Sequence, residues 1–513
     1  MRHFETVAEL LGLGEENAVA IAAPGLAPLR YGQLRSLVAR TVEQLNALGI
    51  GKGERVAIVL KNGPEMATAF LAVAAGATAA PLNPNYHGEQ FEFYLKDLKP
   101  QALVVEGGVD SPSRGVAERL GIPLLELRPQ RTAGAGEFSL EPAAGNWGAG
   151  ATKGASGPED IALVLHTSGT TSRPNIVPLS HRNIATSARQ IREVLELWPS
   201  DRCLNIMPLF HIHGLMAAVA ASLAAGASVC CTPGFNALRF FAWMDEVKPT
   251  WYTAVPTMHQ AILGRSRGHR QTLENLQMRF IRSASAPLAP SVMEQLEQTF
   301  RSPVIESYGM TEASHQIASN PLPPRLRKPG SVGIAAGTEV ALMDEKGCLV
   351  AAGSQIGEVV IRGQNVTRGY EGNPAANARA FSNGWFHTGD QGVLDPSGYL
   401  RLTGRLKEMI NRGGEKVSPL EVDEVLLSHP AIAQAVTFAF PHQKLGEEIG
   451  VAVVLRDGRT LTDRELRDFA GEHLAEFKVP RKIIFVPEIP KGATGKVQRI
   501  GMAERLGLTE PHP

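Results

Sequence analysis

The sequence predicts an α/β protein: a large N-terminal body of mainly parallel sheets covered by helices, followed by a small α+β C-terminal domain. Three observations carry this. Strand-like and helix-like segments alternate from the start of the chain, an arrangement that builds right-handed βαβ units. An apolar strand at Ile161–Leu165 runs straight into a loop of small and hydroxylated residues. After Thr403-Gly404 the pattern changes to short helices and strands, and 513 residues suffice for two to four units at roughly 100–200 residues each.

Leu34, Leu37, Val38, Val42, Leu45 and Leu48 recur at helical spacing and Gly49 follows as a stop, so Leu34–Leu48 is predicted to be an amphipathic helix. Strands are expected at Arg55–Leu60, Thr78–Leu82 and Ala102–Val105, with helices at Pro64–Ala75 and Gly88–Leu98 between them. Glu141–Pro158 is rich in Gly, Ala and Pro without periodicity and is predicted to be a surface connection. A helix follows Ser180. In the C-terminal part, helices are expected at Pro419–Leu427 and Thr462–Leu474, and strands at Ala433–Phe440, Ile449–Leu455 and Lys482–Val486. The apolar stretches Met66–Pro81 and Leu215–Cys231 are broken by small residues and are shorter than the roughly 20 apolar residues of a membrane span, so they read as buried helix-turn-strand pieces.

Composition narrows the function classes. The chain carries 51 basic and 51 acidic side chains, which argues against a broad nucleic-acid surface built from uncompensated Lys and Arg. Four cysteines, two of them adjacent (Cys230 and Cys231) and none in C-x-x-C spacing, indicate neither a zinc ribbon nor a disulfide framework. The N-terminal residues lack the features of a secretory signal and the C-terminal ones those of a peroxisomal or lipid address; a cytoplasmic protein without membrane attachment is expected.

The most informative segment is His166-Thr167-Ser168-Gly169-Thr170-Thr171-Ser172-Arg173-Pro174. Small residues let backbone N–H groups approach phosphate oxygens and hydroxyls add donors, although the spacing is not that of a Walker A loop. The loop resembles the signature T-S-G-[ST]-T-G-x-P-K-G of the adenylate-forming superfamily, the acyl-CoA synthetases, luciferases and adenylation domains. It departs from it at Ser172, Asn175 and Ile176; Asn175 stands where a lysine is usual. The resemblance covers nearly the whole chain and implies ATP, Mg²⁺ and CoA as cofactors or co-substrates. It also implies a β-barrel-like subdomain in the large domain, and a mobile C-terminal domain. The boundaries expected are residues 1–404 and 405–513, with a hinge at Lys407.

Further motifs match the same superfamily. By resemblance, Glu306-Ser307-Tyr308-Gly309-Met310 flank the adenine, Thr311 contacts the α-phosphate, and Glu312 with Thr170 binds Mg²⁺, a metal that favours hard oxygen ligands beside phosphates. Ser285 and Ala286 stand near the adenine and the acyl pocket. Asp390 accepts from the ribose hydroxyls and Arg405 reaches the nucleotide. Lys496, in a Gly-flanked tail motif, corresponds to the lysine that stabilises charge during adenylation. Gly413 and Gly414 correspond to the loop lining the pantetheine tunnel.

The motif Phe210-His211-Ile212-His213-Gly214 resembles the segment that lines the acyl site, with His211 as its catalytic histidine. Together with Ser-Arg-Pro in the phosphate loop and Thr-Glu-Ala-Ser-His315, it is similar to the oxalate–CoA ligase group. A dicarboxylate needs a second set of donors, for which His211, His213, Ser285, His315 and Arg282 are candidates. The activity implied is an acid–CoA ligase acting through an acyl-adenylate on a small carboxylate such as oxalate, as a monomer or homodimer. Open alternatives are a medium-chain or aryl acid–CoA ligase, an adenylation enzyme loading a carrier protein, and a non-catalytic nucleotide-binding protein.

Overall fold

The computed structural model describes residues 3–143, 147, 156–167, 174–353, 355–490 and 497–508. Helices form where apolar residues make one stripe. In Tyr31–Ala47, Leu34, Leu37, Val38, Thr41 and Leu45 are buried, and the chain leaves through Gly49 at φ 80°. The helix Pro64–Gly76 has no polar face because its central part is buried all round; Pro64 starts it where no intrahelical N–H is needed. Other elements fall within a few residues of expectation: strands Arg55–Val59, Thr78–Pro81 and Ala102–Glu106, helix Gly88–Leu98. One expectation is corrected: Glu141 and Pro142 are not connection but the end of an edge strand, Phe138–Pro142, paired antiparallel with Leu124–Pro129. Most of the remaining predicted connection lies outside the described residues.

Two large sheets carry the N-terminal body. One has seven strands with a parallel centre, running from Phe138–Pro142 at one edge to Ile161–His166 and Ile176–Ser180 at the other. The second has nine strands, and its parallel centre includes Arg202–Asn205, Trp251–Ala254, Phe280–Ala284 and Val304–Tyr308 in lateral order. Strands buried on both faces read as continuous apolar runs, as Ser228–Cys231 does. The subdomain expected to be barrel-like is a six-stranded antiparallel sheet that includes Gly357–Arg362, Trp385–Leu394 and Leu400–Arg405.

The stretch Leu215–Cys231 is helix, turn and strand as expected, but its helix opens with eight residues of π-helix, His213–Ala220. Such wider winding occurs often at functional sites. Gly214 permits it: a Cβ there would lie 2.4 Å from the Pro208 carbonyl oxygen.

The C-terminal part has a five-stranded sheet with its own core, which includes Val422, Leu426, Ile449, Val451 and Leu466. Its helices Pro419–Leu427 and Asp463–His473 are capped by Ser418 and Thr462. Arg499 ties the tail to this unit: it meets Asp423 at 2.7 Å and Glu408 at 3.4 Å, and donates to the Thr437 carbonyl at 3.0 Å. Lys407 lies in an exposed turn between Leu400–Arg405 and Ile410–Arg412. Among the described residues no helix is long and apolar enough to cross a membrane.

Candidate active site

Three side-chain clusters sit at the ends of the strands just described. The first joins Asp390, Arg405 and Tyr308. Antiparallel register sets Asp390 opposite Arg405, whose Nε lies 3.0 Å from Asp390 Oδ1. The Tyr308 hydroxyl, at the end of Val304–Tyr308, donates to the other carboxylate oxygen at 2.5 Å. Burial first, then the neighbouring Asp390 charge, pushes the Tyr308 phenol up, so it stays a donor at any working pH. The Asp390 charge also pushes the Arg405 guanidinium up. A buried carboxylate held at both oxygens is a fixed acceptor, the property that ribose hydroxyls require.

The second cluster surrounds Glu312, in a single 3₁₀ turn at Thr311–Ala313. The Tyr370 hydroxyl donates to Glu312 Oε1 at 2.8 Å, and the Glu312 carbonyl accepts from Thr367 N at 2.7 Å. Burial pushes this carboxyl up, while Tyr370 and Arg405 hold it down. A divalent cation would offset that burial, and a lone carboxylate beside triphosphate oxygens suits Mg²⁺; the donor set therefore fits the expected metal. Thr311 is half-buried at the head of the same turn and Met310 precedes it. Gly309 is needed there because a Cβ would lie 1.4 Å from the His315 carbonyl oxygen.

Glu306 is buried beneath, accepting from Leu288 N at 3.1 Å, and burial pushes its carboxyl up to about 8. The Ser307 hydroxyl pairs with Ser319 at 2.9 Å, so its side chain faces into the sheet.

The third cluster gathers residues expected on the acyl side. His213 places Nδ1 3.0 Å from Ser285 Oγ and Nε2 2.6 Å from Thr253 Oγ1, and stacks on His315 with ring centroids 4.8 Å apart. Ser285 and His315 adopt φ of 74° and 90°, which costs side chains other than glycine of order 1–3 kcal/mol each. Arg282, fully buried, lies 3.4 Å from His213 Nε2. His211 is half-buried and its Nδ1 accepts from His213 N at 3.3 Å. Ala286 follows Ser285 and is half-buried.

Of the phosphate loop, Thr167 is described: its N donates to the Asn175 carbonyl at 3.0 Å and its hydroxyl accepts from Asn175 N at 3.3 Å. Ser168, Gly169, Thr170, Thr171 and Ser172 lie outside the described residues, as does Lys496. Where a lysine was expected, the Asn175 side chain accepts from Asn373 Nδ2 at 2.9 Å, which fastens the loop exit to the helix Pro374–Ala380. Gly413 and Gly414 form an exposed turn held by Leu445 and Asn411 of the same C-terminal unit. Sequence reasoning missed Tyr370, Thr253 and Asn373. None belongs to a motif, and each reaches the site only through sheet order or the tertiary fold.

The profile of the AMP-binding enzymes matches residues 14–371, and that of the AMP-binding enzyme C-terminal domain matches residues 421–496. This chain belongs to the AMP-binding enzyme family. An oxalate–CoA ligase from Arabidopsis thaliana is 45% identical over 95% of this AMP-binding enzyme and 95% of the relative. One from Saccharomyces cerevisiae is 42% identical, covering 88% and 86% respectively. MatB from Rhodopseudomonas palustris, solved with ATP bound, superposes with a TM-score of 0.86 at 28% identity over 98% of each chain. The AMP-binding enzyme described here is an ATP-dependent acid–CoA ligase using ATP, Mg²⁺ and CoA.

Proposed function

We propose that this ligase activates a small dicarboxylate, oxalate above all. The observation that carries the reading is a polar cluster where the acyl group is expected: His213, Thr253 and His315 are buried around the half-buried Ser285, where an apolar acid would need an apolar wall. The oxalate–CoA ligases among its relatives support it. In the first step a substrate carboxylate oxygen attacks the ATP α-phosphorus, the α–β bridging bond breaks, and acyl-AMP and pyrophosphate form. In the second the CoA thiol loses its proton, the sulfur attacks the acyl carbon, and AMP leaves with the C–O bond electrons.

Each residue has a part in this scheme. Asp390 and Arg405 hold the ribose and nucleotide, Thr311 the α-phosphate, and His211 lines the acyl group. Lys496 offsets charge during adenylation. Glu312 and Thr170 would hold Mg²⁺, which would supply positive charge against the triphosphate. Residues 1–404 and 405–513 act as body and cap, rotating at Lys407 so that Gly413 and Gly414 turn toward CoA. The exposed turn at Lys407, between the last strand of one sheet and the first of the next, supports this division. The enzyme works in the cytoplasm as a monomer or homodimer.

The test is pyrophosphate release with oxalate, malonate, acetate, butyrate, benzoate and a long-chain acid, each with and without CoA. Oxalate should give the highest kcat/KM. Preference for an apolar acid overturns the dicarboxylate reading and leaves the ligase intact.

A further inference from the structure

Arg282 is fully buried on Phe280–Ala284, yet no Asp or Glu forms a salt bridge with it among the described residues. Its Nη2 donates to Gln316 Oε1 at 2.9 Å and its Nε has no hydrogen-bond partner among the described residues. Burial lowers the guanidinium to about 9, so it is a cation at neutral pH. A buried charge without a counter-charge is costly, and it persists where a ligand brings the opposite sign. The guanidinium does not face the substrate directly. Between it and the half-buried Ser285 stand Thr253, its register partner on the neighbouring parallel strand, and His213.

One end of this hydrogen-bond chain has a fixed direction, because a guanidinium only donates. Arg282 Nη1 lies 3.4 Å from Thr253 Oγ1 and 3.4 Å from His213 Nε2. When Thr253 accepts from Arg282 on one lone pair, its own proton is free to point to His213 Nε2, 2.6 Å away. If Arg282 donates to His213 directly, Nε2 accepts again. In both arrangements Nε2 carries no proton, and a neutral ring would then carry it on Nδ1 and donate to Ser285 Oγ at 3.0 Å. With that lone pair occupied, the Ser285 hydroxyl proton is directed away from His213. The left-handed φ of 74° at Ser285 is the backbone cost of holding Oγ in this place.

We propose that Arg282, Thr253, His213 and Ser285 form a one-way hydrogen-bond relay that presents the buried guanidinium charge at the Ser285 hydroxyl, as a donor for the substrate's second carboxylate. This rests on the dicarboxylate reading above. Arg282 and Thr253 are positioning residues that act through His213 and Ser285. The relay makes selection one of charge: an acid with a second anionic group completes the circuit, and a monoanion of equal size does not.

Two measurements on the full-length protein test it. The first is the tautomer of His213, from ¹⁵N spectra of histidine-labelled protein, with the signal assigned by its loss in His213→Gln. The Nδ1-protonated neutral ring is expected at pH 7, with that preference lost in Arg282→Met. An Nε2-protonated or doubly protonated ring overturns the relay whatever the substrate proves to be. The second is kinetic. The near-isosteric Thr253→Val should raise the KM for oxalate about tenfold or more, leave the KM for ATP within about twofold, and lower the oxalate-to-acetate ratio of kcat/KM. An unchanged oxalate KM and ratio refute the relay. A parent enzyme that prefers a monocarboxylate refutes the dicarboxylate reading instead, and the tautomer then decides the relay alone.

Discussion

Removing the Tyr370 hydroxyl isolates one hydrogen bond at Glu312, the carboxylate proposed to hold Mg²⁺. Tyr370→Phe keeps the ring, which packs against Phe386 with centroids 6.4 Å apart, and deletes the 2.8 Å bond to Glu312 Oε1. A hydrogen bond to a charged acceptor contributes about 1.5–3 kcal/mol. Independently, losing the partner that orients a metal-binding carboxylate lowers metal affinity about 10–100-fold, equivalent to about 1.4–2.8 kcal/mol. The two ranges overlap near ~2 kcal/mol, which corresponds to a roughly 30-fold rise in half-saturating Mg²⁺. The assay is pyrophosphate release with Mg²⁺ titrated at fixed ATP and saturating acid. At saturating Mg²⁺ the variant should recover kcat to within about threefold, since the reacting groups are untouched. An unchanged Mg²⁺ midpoint would refute the assignment of Glu312 as the metal carboxylate oriented by Tyr370. A loss of kcat that excess Mg²⁺ does not restore would place the hydroxyl in the chemistry itself.

Two other outcomes are expected. Lys496→Ala should slow adenylation by about 10²–10³-fold while leaving thioester formation from supplied acyl-AMP within about threefold; equal losses in both half-reactions would remove Lys496 from its role. Glu306 gives a pH signature: burial raises its carboxyl to about 8 in the folded state. Against an unfolded value of about 4.3, its contribution to stability is full below that pH and is lost as pH rises through about 8, on the order of a few kcal/mol. Denaturant midpoints should therefore fall from about pH 5 to about pH 9 in the parent and fall less in Glu306→Gln; identical slopes in both would contradict the raised carboxyl.

What the sequence made legible follows from range. The helices Gly88–Leu98 and Pro419–Leu427 were readable to the residue, because their apolar spacing and start signals are local. Asp390, Arg405 and Glu312 were readable because they sit in motifs of fixed spacing. The division into two large sheets was not, since a run such as Ser228–Cys231 is apolar on both faces and says nothing of its neighbour. Thr253 escaped for the same reason: only the parallel register with Phe280–Ala284 sets it beside Arg282. The π-helical winding at His213 was hidden too, since an apolar stretch specifies burial and not the turn. Asn175 was visible as a departure from the family loop, whereas its bond to Asn373 depends on a helix about two hundred residues away in sequence.

Arg499 has a consequence for what proteolysis leaves behind. Its guanidinium is the counter-charge of the buried Asp423, and removing one partner of such a pair costs about 3–5 kcal/mol. A chain clipped just before Arg499 keeps Lys496, three positions upstream, and still loses this counter-charge. The C-terminal unit is destabilised from within, Glu408 beside the turn at Lys407 loses its ion pair with Arg499, and the damaged molecule becomes a substrate for degradation. The physical survival of this unit thus depends on one side chain of the tail.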